Sequence, residues 1–451
     1  MNPNVKNRLI KKYATLGILL LTIALPITLY QVRQNQDNRS SAAAADKLEA
    51  EGGLLSGNAT KQTDTLASGG SYVKLQISNA TPTPDPSKPI VGVIRWDAWT
   101  PNLHPTTTTQ NKWITADLGK WGYRLPFFAK NLPNNTKDSE VINEDSQEII
   151  DKEILYTSQA GINYWTFFWF NFWWQDSNTT WRYNYGLNNY LNSPYKNKMN
   201  FALMLGCCGL LDHYPTDWEP KVVPKIVNLV KQPTYQKVLN GRPIIYVFGA
   251  SQLSGWFNCG YYDYRYGTCA DKSYTKSKVA LDYLRAEIQK AGLPNPYLVA
   301  MVWDPGNKNY TSSTGYGFDA ITSYSGHDAS VNTLTQKSYT TLSADNLAYR
   351  EKAKASGNKI IPPVNTGWDR RPDPGYNGVW YEAGTPIQVG ANLKAAIDWN
   401  KANPTLTETN NVLIYAWNEF VEGGWLGPTL EDKGARLNAI SNILGGTQIK
   451  P

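Results

Sequence analysis

The chain has 451 residues and a formal net charge of +7, of which +5 falls in the first forty residues as six basic side chains and one acidic one. The remainder is close to neutral, which leaves no basic stripe for nucleic acid, and His104, His213 and His327 form no ligand-spaced cluster with the four cysteines, so no metal is indicated. An abundance of Trp, Tyr and Asn suits neutral, hydroxyl-rich ligands instead.

The first element in the chain is the apolar run YATLGILLLTIALPITLY (13–30), preceded by Lys and Arg and about the length of a bilayer span. It predicts export, with residues 1–45 acting as a signal peptide or a signal anchor. The small-residue stretch SSAAAA (40–45) offers a cleavage site, and an uncleaved segment would hold the protein to a membrane. The expected location is therefore extracellular or membrane-anchored. Residues 46–88 are poor in large apolar side chains and run into ATPTPDPSKP (80–89), the composition of an extended linker. Within them, ASGGSYVKLQIS reads as a small β-like remnant, too short to close a fold of its own.

From residue 89 to 451, short apolar runs alternate with helical patterns. The runs are PIVGVIRWD (89–97), INYWTFFWFN (162–171), NFALMLG (200–206), RPIIYVFG (242–249), PYLVAMVWD (296–304), GFDAITSY (317–324), KIIPPVNTGWD (359–369) and NVLIYAWNE (411–419). Between them lie SQEIIDKEILYTSQAG, PKVVPKIVNLVK, SKVALDYLRAEIQKAG and IQVGANLKAAIDWNKANP, each with apolar positions three and four apart. Eight such strands predict an α/β fold, a closed (β/α)8 TIM barrel. After the fourth run, Cys259 and Cys269 bracket a Tyr- and Gly-rich loop, and an exported protein would close it as a disulfide, while the adjacent Cys207 and Cys208 read as buried thiols.

In such a barrel the carboxyl ends of the strands converge on the face where catalysis occurs. Those ends carry Arg95, Trp96 and Asp97, then Trp169 and Asn171, Asp304, and Tyr324 with His327 and Asp328. Trp368, Asp369, Arg370 and Arg371 follow, and the last run ends in Asn418, Glu419 and Glu422 near Trp425. An unpaired carboxylate at the end of a buried strand loses hydration, and two in different surroundings divide acid and base work. Cleavage of a glycosidic bond needs such a pair. Asp97, Trp96, Trp169, Asn171, Tyr324, Trp368, Asp369, Asn418 and Trp425 are the candidate substrate-binding residues, with Trp169 and Trp173 the sugar-stacking candidates in an aromatic second run. Gly423 and Gly424 would turn the chain sharply after Glu422.

The segments YAWNEFVEGGWLGPT, NTGWDRRP, GFDAITSY, YQKVLNGRPIIYVF and AGINYWTFFWF together resemble the family 99-like glycoside hydrolase domains, also called the WbsX type, from about residue 90 to 444. The last segment is also similar to the N-E-W-H-E-G stretch of glycoside hydrolase family 99, the endo-α-mannosidases and endo-α-mannanases. The resemblance implies a TIM barrel and retaining cleavage through the sugar's own 2-hydroxyl, with Glu419 as the base on that hydroxyl and Glu422 as the general acid/base. Phe420 and Val421 stand where that family has Trp and His, so a histidine contact to substrate is missing and the substrate need not be mannan. WbsX-type domains also accompany polysaccharide synthesis, which keeps a glycosyltransferase open as an alternative, beside a sugar-binding barrel without catalysis. The partner expected is a polysaccharide or oligosaccharide. No cofactor is implied, since the chemistry needs only two carboxylates, and nothing in the sequence speaks to oligomeric state.

Overall fold

The computed structural model describes residues 59–63, 71–75, 88–97, 99, 110–130, 142–170, 183–206, 216–250 and 274–451. The apolar run at 13–30, Asn171, Trp173 and all four cysteines lie outside them, and with them the expected anchor and disulfide. Among the described residues no helix is long and apolar enough to cross a membrane. By its internal contacts the chain divides into Met1–Thr83 and Pro84–Pro451. In the first unit, Ala59–Thr63 and Ser71–Leu75 pair as an antiparallel hairpin.

The second unit is a (β/α)8 barrel. Its parallel strands are β1 (Ile90–Arg95), β2 (Tyr164–Trp169), β3 (Asn200–Leu205), β4 (Arg242–Val247), β5 (Tyr297–Met301), β6 (Ala320–Thr322), β7 (Pro363–Asn365) and β8 (Asn411–Tyr415). Each pairs with the next, and β8 returns to β1. Between β6 and β7 the ring closes through one bridge, Ile321 to Ile360, where Ile361 N donates to Ile321 O at 2.9 Å. The helices of eight residues or more are α1 (Gln147–Gln159), α2 (Tyr185–Asn192), α3 (Val223–Val230), α4 (Thr275–Lys290), α5 (Tyr339–Ser356), α6 (Pro386–Ala402) and α7 (Ala435–Leu444). Helix starts follow their caps: Ser146 opens α1, Ser338 opens α5, and Thr385 with Gln388 forms a capping box before Pro386 in α6. Between β5 and β6 no helix forms, because DPGNKNYTSSTGYG is dominated by Gly, Pro, Asn, Asp and Ser.

Strand alternation sorts the side chains. Tyr164 of β2 points into the barrel, where its hydroxyl lies 2.6 Å from that of Tyr246 and donates to Asn411 Oδ1 at 3.0 Å. Gly92 makes this crossing feasible, since a Cβ there would sit 2.1 Å from the Tyr164 ring. Position 168 shares that face, whereas Trp165, Phe167 and Trp169 point toward the helices. Accordingly Phe167 meets Tyr190 of α2 at 5.9 Å and Trp165 packs on Trp417.

Candidate active site

β8 ends at Tyr415 rather than running on to Glu419. The chain then turns into a small hairpin in which Asn418 pairs with Trp425 and Glu419 with Gly424. The turn needs its glycines: Gly423 has φ +82° and a Cβ there would meet Asp369 N at 2.6 Å, while one on Gly424 would strike the Tyr415 ring at 2.3 Å. The hairpin has two faces. Phe420, Val421 and Trp425 enter a separate apolar cluster with Trp99, Ile114 and Trp121. Glu419 and Glu422 face the barrel mouth, where each meets a tyrosine.

Tyr324, just beyond β6, donates to Glu419 Oε1, and Tyr415 donates to Glu422 Oε2 at 2.7 Å. The two tyrosine rings lie 4.9 Å apart, edge to face. Glu419 is fully buried, and its Oε2 has no partner among the described residues. Burial first, and the charge of Glu422 second, push its carboxyl well above the usual range. Glu422 is also raised by burial, but Arg370 Nε at 3.4 Å and the Tyr415 hydroxyl pull it back. The pair therefore holds a proton at pH values where isolated glutamates are ionised. Arg370 lies against Glu422 and acts more weakly on Glu419, so of the two carboxyls Glu419 is raised further. An aromatic arc continues from the pair: Phe168 to Phe248 at 5.3 Å and Phe248 to Tyr324 at 5.0 Å on one side, Tyr415 to Trp368 at 5.8 Å and Trp368 stacked on His327 at 3.8 Å on the other. His327 is neutral, its pKa lowered to about 3 by burial, with the nearby Arg370 acting in the same direction.

The remaining candidates do structural work. Asp97 does not face the mouth. Its carboxylate lies under the start of α2, bonded to Arg95 Nε at 3.0 Å and to Leu187 N at 3.3 Å, and burial raises its pKa to about 6. Arg95 is buried among three carboxylates, Asp97, Glu144 at 3.1 Å and Glu153 at 2.7 Å, with its guanidinium 4.5 Å over Trp165. Asn418 spends its amide on this cluster and on β1: it accepts from Trp96 N at 3.0 Å and donates to Trp96 O at 2.8 Å and to Glu144 Oε2 at 3.1 Å. Trp417 Nε1 donates to Glu153 Oε1 at 3.0 Å. The two residues before Glu419 are thus pinned by acids that the strand-end reading passed over. Trp96 is half-buried, held through its backbone by Asn418.

Asp369 is likewise occupied, ion-paired with Arg124 and with Arg371 Nε at 2.7 Å. Arg124 Nη1 also bonds the carbonyls of Asp369 at 2.8 Å and of Phe420 and Val421 at 3.1 Å, which clamps the hairpin to the segment after β7. Trp425 is 2% exposed, its ring 4.0 Å under Arg436. Trp169 faces the helices, and Phe168 occupies the position in the arc that was expected of it. Of the candidate set, the structure brings together Glu419, Glu422, Tyr324 and Trp368. Arg370, named among the strand-end residues, lies against Glu422, whereas Tyr415, Arg124, Glu144 and Glu153 escaped notice, although Tyr415 at the last interior position of β8 carried a readable signal. Among the described residues no group of three or more His, Cys, Asp or Glu is placed to hold a metal ion.

Residues 269–440 match the sequence model of the family described as Glycosyltransferase WbsX. Similar solved structures include a GH99 endo-α-mannosidase from Bacteroides thetaiotaomicron, 12% identical over 79% of this chain and 96% of that one at a TM-score of 0.47. Another is a GH5-4 broad-specificity endoglucanase from Clostridium longisporum, 14% identical over 78% and 96% at a TM-score of 0.35. A comparison with curated proteins finds no match.

Proposed function

We propose that the chain is a glycoside hydrolase that cleaves an α-linked glycan with retention of configuration, through participation of the sugar's 2-hydroxyl. The observation that carries the reading is the pair itself. Two carboxyls sit at the mouth of a (β/α)8 barrel, both raised by burial, each held by one tyrosine hydroxyl and together retaining one proton. Acid–base cleavage of a glycosidic bond requires a proton donor for the leaving oxygen and a second carboxylate to assist attack at the anomeric carbon. In the order of the motif, Glu419 takes the proton of the 2-hydroxyl as that oxygen closes on the anomeric carbon, and Glu422 protonates the departing oxygen. Water then opens the strained ring with Glu422 taking its proton as base, and Glu419 returns its proton to the 2-oxygen. Glu419 is the more strongly raised of the two before substrate binds, so its proton passes to Glu422 on binding, which leaves Glu419 ionised to accept the 2-hydroxyl proton and Glu422 protonated to donate. The substrate is an α-mannan or a related surface polysaccharide, and the protein is exported.

The decisive experiment is release of reducing sugar from α-mannans and bacterial surface polysaccharides by the purified barrel, residues 90–451, and by Glu422→Gln. Loss of roughly 10²–10⁴-fold in the variant is expected from removal of a general acid. Turnover equal to that of the parent would overturn the assignment. The description of the matched family favours a second reading, transfer of a sugar to an acceptor. Transfer would appear as a lengthened glycan made from an activated donor, with no reducing sugar freed in its absence.

A further inference from the structure

The connection that lacks a helix, between β5 and β6, opens a cavity of about 530 Å³ at the same end of the barrel as the two glutamates. Trp303, Asp304 and Pro305 form one wall, Gly326 to Ser330 another, and α5 contributes Asp345 and Lys352. Trp303 is 45% exposed, and among the described residues it is the one tryptophan whose side chain stands in solvent. Leaving so large an apolar face wet forfeits burial that the adjacent α5 could have provided. The ring is braced instead: His327 meets it edge-on at 5.3 Å, and His327 stacks on Trp368, which packs at 5.8 Å on Tyr415, the residue bonded to Glu422. An unbroken line of rings thus leads from the second carboxylate of the pair to this cavity.

We infer that the cavity is a glycan-binding subsite in which Trp303 presents its face to a pyranose ring several sugar units away from the bond that is cut. The inference rests on the hydrolase reading and deepens it, because a ligand occupying both places must be a chain of several sugars rather than a mono- or disaccharide. The size fits one or two sugar rings, and the lining has the mixed character that such a ligand needs: an aromatic face for the C–H side and fixed polar groups for the hydroxyls. Asp328, oriented by Ser330 Oγ at 2.6 Å and Lys337 at 2.9 Å, is held down to a pKa of about 2 and accepts hydroxyls at any ordinary pH. Asp345 is fixed by the Tyr381 hydroxyl at 2.6 Å, and the Asp304–Lys352 pair, 2.8 Å, offers both an acceptor and a donor at the rim.

The test uses the full chain carrying Glu422→Gln, so that no probe is consumed, run in native gels cast with soluble α-mannan or soluble α-glucan. Retardation by one of them is expected, weakened roughly tenfold by adding Trp303→Ala, the scale of a lost aromatic face, and restored by Trp303→Phe. Equal retardation with and without Trp303, or retardation of neither protein in either gel, overturns the subsite. Hydrolysis by the parent chain is scored separately. Mannan cleaved in a manner dependent on Glu422 but indifferent to Trp303 removes the subsite and keeps the hydrolase, whereas Trp303-dependent binding without cleavage keeps the subsite and removes the hydrolase.

Discussion

Tyr415, the last residue of β8, donates its hydroxyl to Glu422 Oε2 at 2.7 Å, so the second carboxylate of the hairpin is set by the barrel wall itself. The bond also lowers the pKa of Glu422 against the effect of burial. Tyr415→Phe removes a donor to a charged acceptor, a loss of about 1.5–3 kcal/mol, and turnover should fall roughly tenfold or more. The sign of the pH effect follows: without the donor Glu422 holds its proton to higher pH, so a limb that requires protonated Glu422 moves to the alkaline side. A pH–rate profile in which that limb stays in place or moves to lower pH would count against Glu422 as the acid.

The division of roles between the glutamates is separable by the leaving group. A substrate with an activated aryl leaving group needs little protonation, so Glu422→Gln should still release the aryl group in a first-turnover burst while losing the native glycan. Glu419→Gln should lose both, because assistance to the 2-hydroxyl is needed whatever departs. If the two variants exchange these behaviours, the proton donor is Glu419, the carboxyl that burial raises further.

Arg95 faces three buried carboxylates; burial raises Asp97 to about 6 and Glu144 well above the usual carboxylate range, with Glu153 and Asp97 raising Glu144 further. Both are raised above their unfolded values of ~4. The folded state therefore binds more protons between those values, and this cluster's contribution is fully present at low pH and is lost as pH rises. For Asp97 alone the displacement corresponds to about 3 kcal/mol between pH 4 and neutrality. Glu144→Gln should flatten the decline in urea midpoint between pH 5 and pH 8. An unchanged slope would mean that the cluster does not titrate in this range.

Gly423 and Gly357 separate two costs of a side chain at positive φ. Gly357, at +71°, has open space around it, whereas a Cβ on Gly423, at +82°, would collide with the backbone nitrogen of Asp369. Gly357→Ala should cost about 1 kcal/mol in unfolding free energy and leave turnover alone. Gly423→Ala should cost about 1–3 kcal/mol and also depress turnover, since the hairpin bearing both glutamates must shift. Equal turnover in the two variants would show that the hairpin does not set the carboxylate geometry.

What the sequence determined by itself is local and periodic. Apolar runs of strand length and amphipathic stretches between them foretold a parallel barrel, and the position of Glu419 and Glu422 at and just beyond the end of the last run placed them near its mouth. Which strand-end residues share that mouth was decided only by tertiary structure. Asp97 and Asp369 carry the same chemistry as the glutamates, yet one lies beneath α2 and the other is gripped by Arg124, 245 residues away in the chain. Glu153 reaches Arg95 across 58 residues and Trp417 across 264. The physical reason is that the side-chain period of a strand is two, so one residue of register moves a group from the barrel interior to the helix layer, as Phe168 and Trp169 illustrate. Whether a buried carboxylate then meets a guanidinium or only a tyrosine hydroxyl depends on closure of the whole ring, which no local pattern encodes.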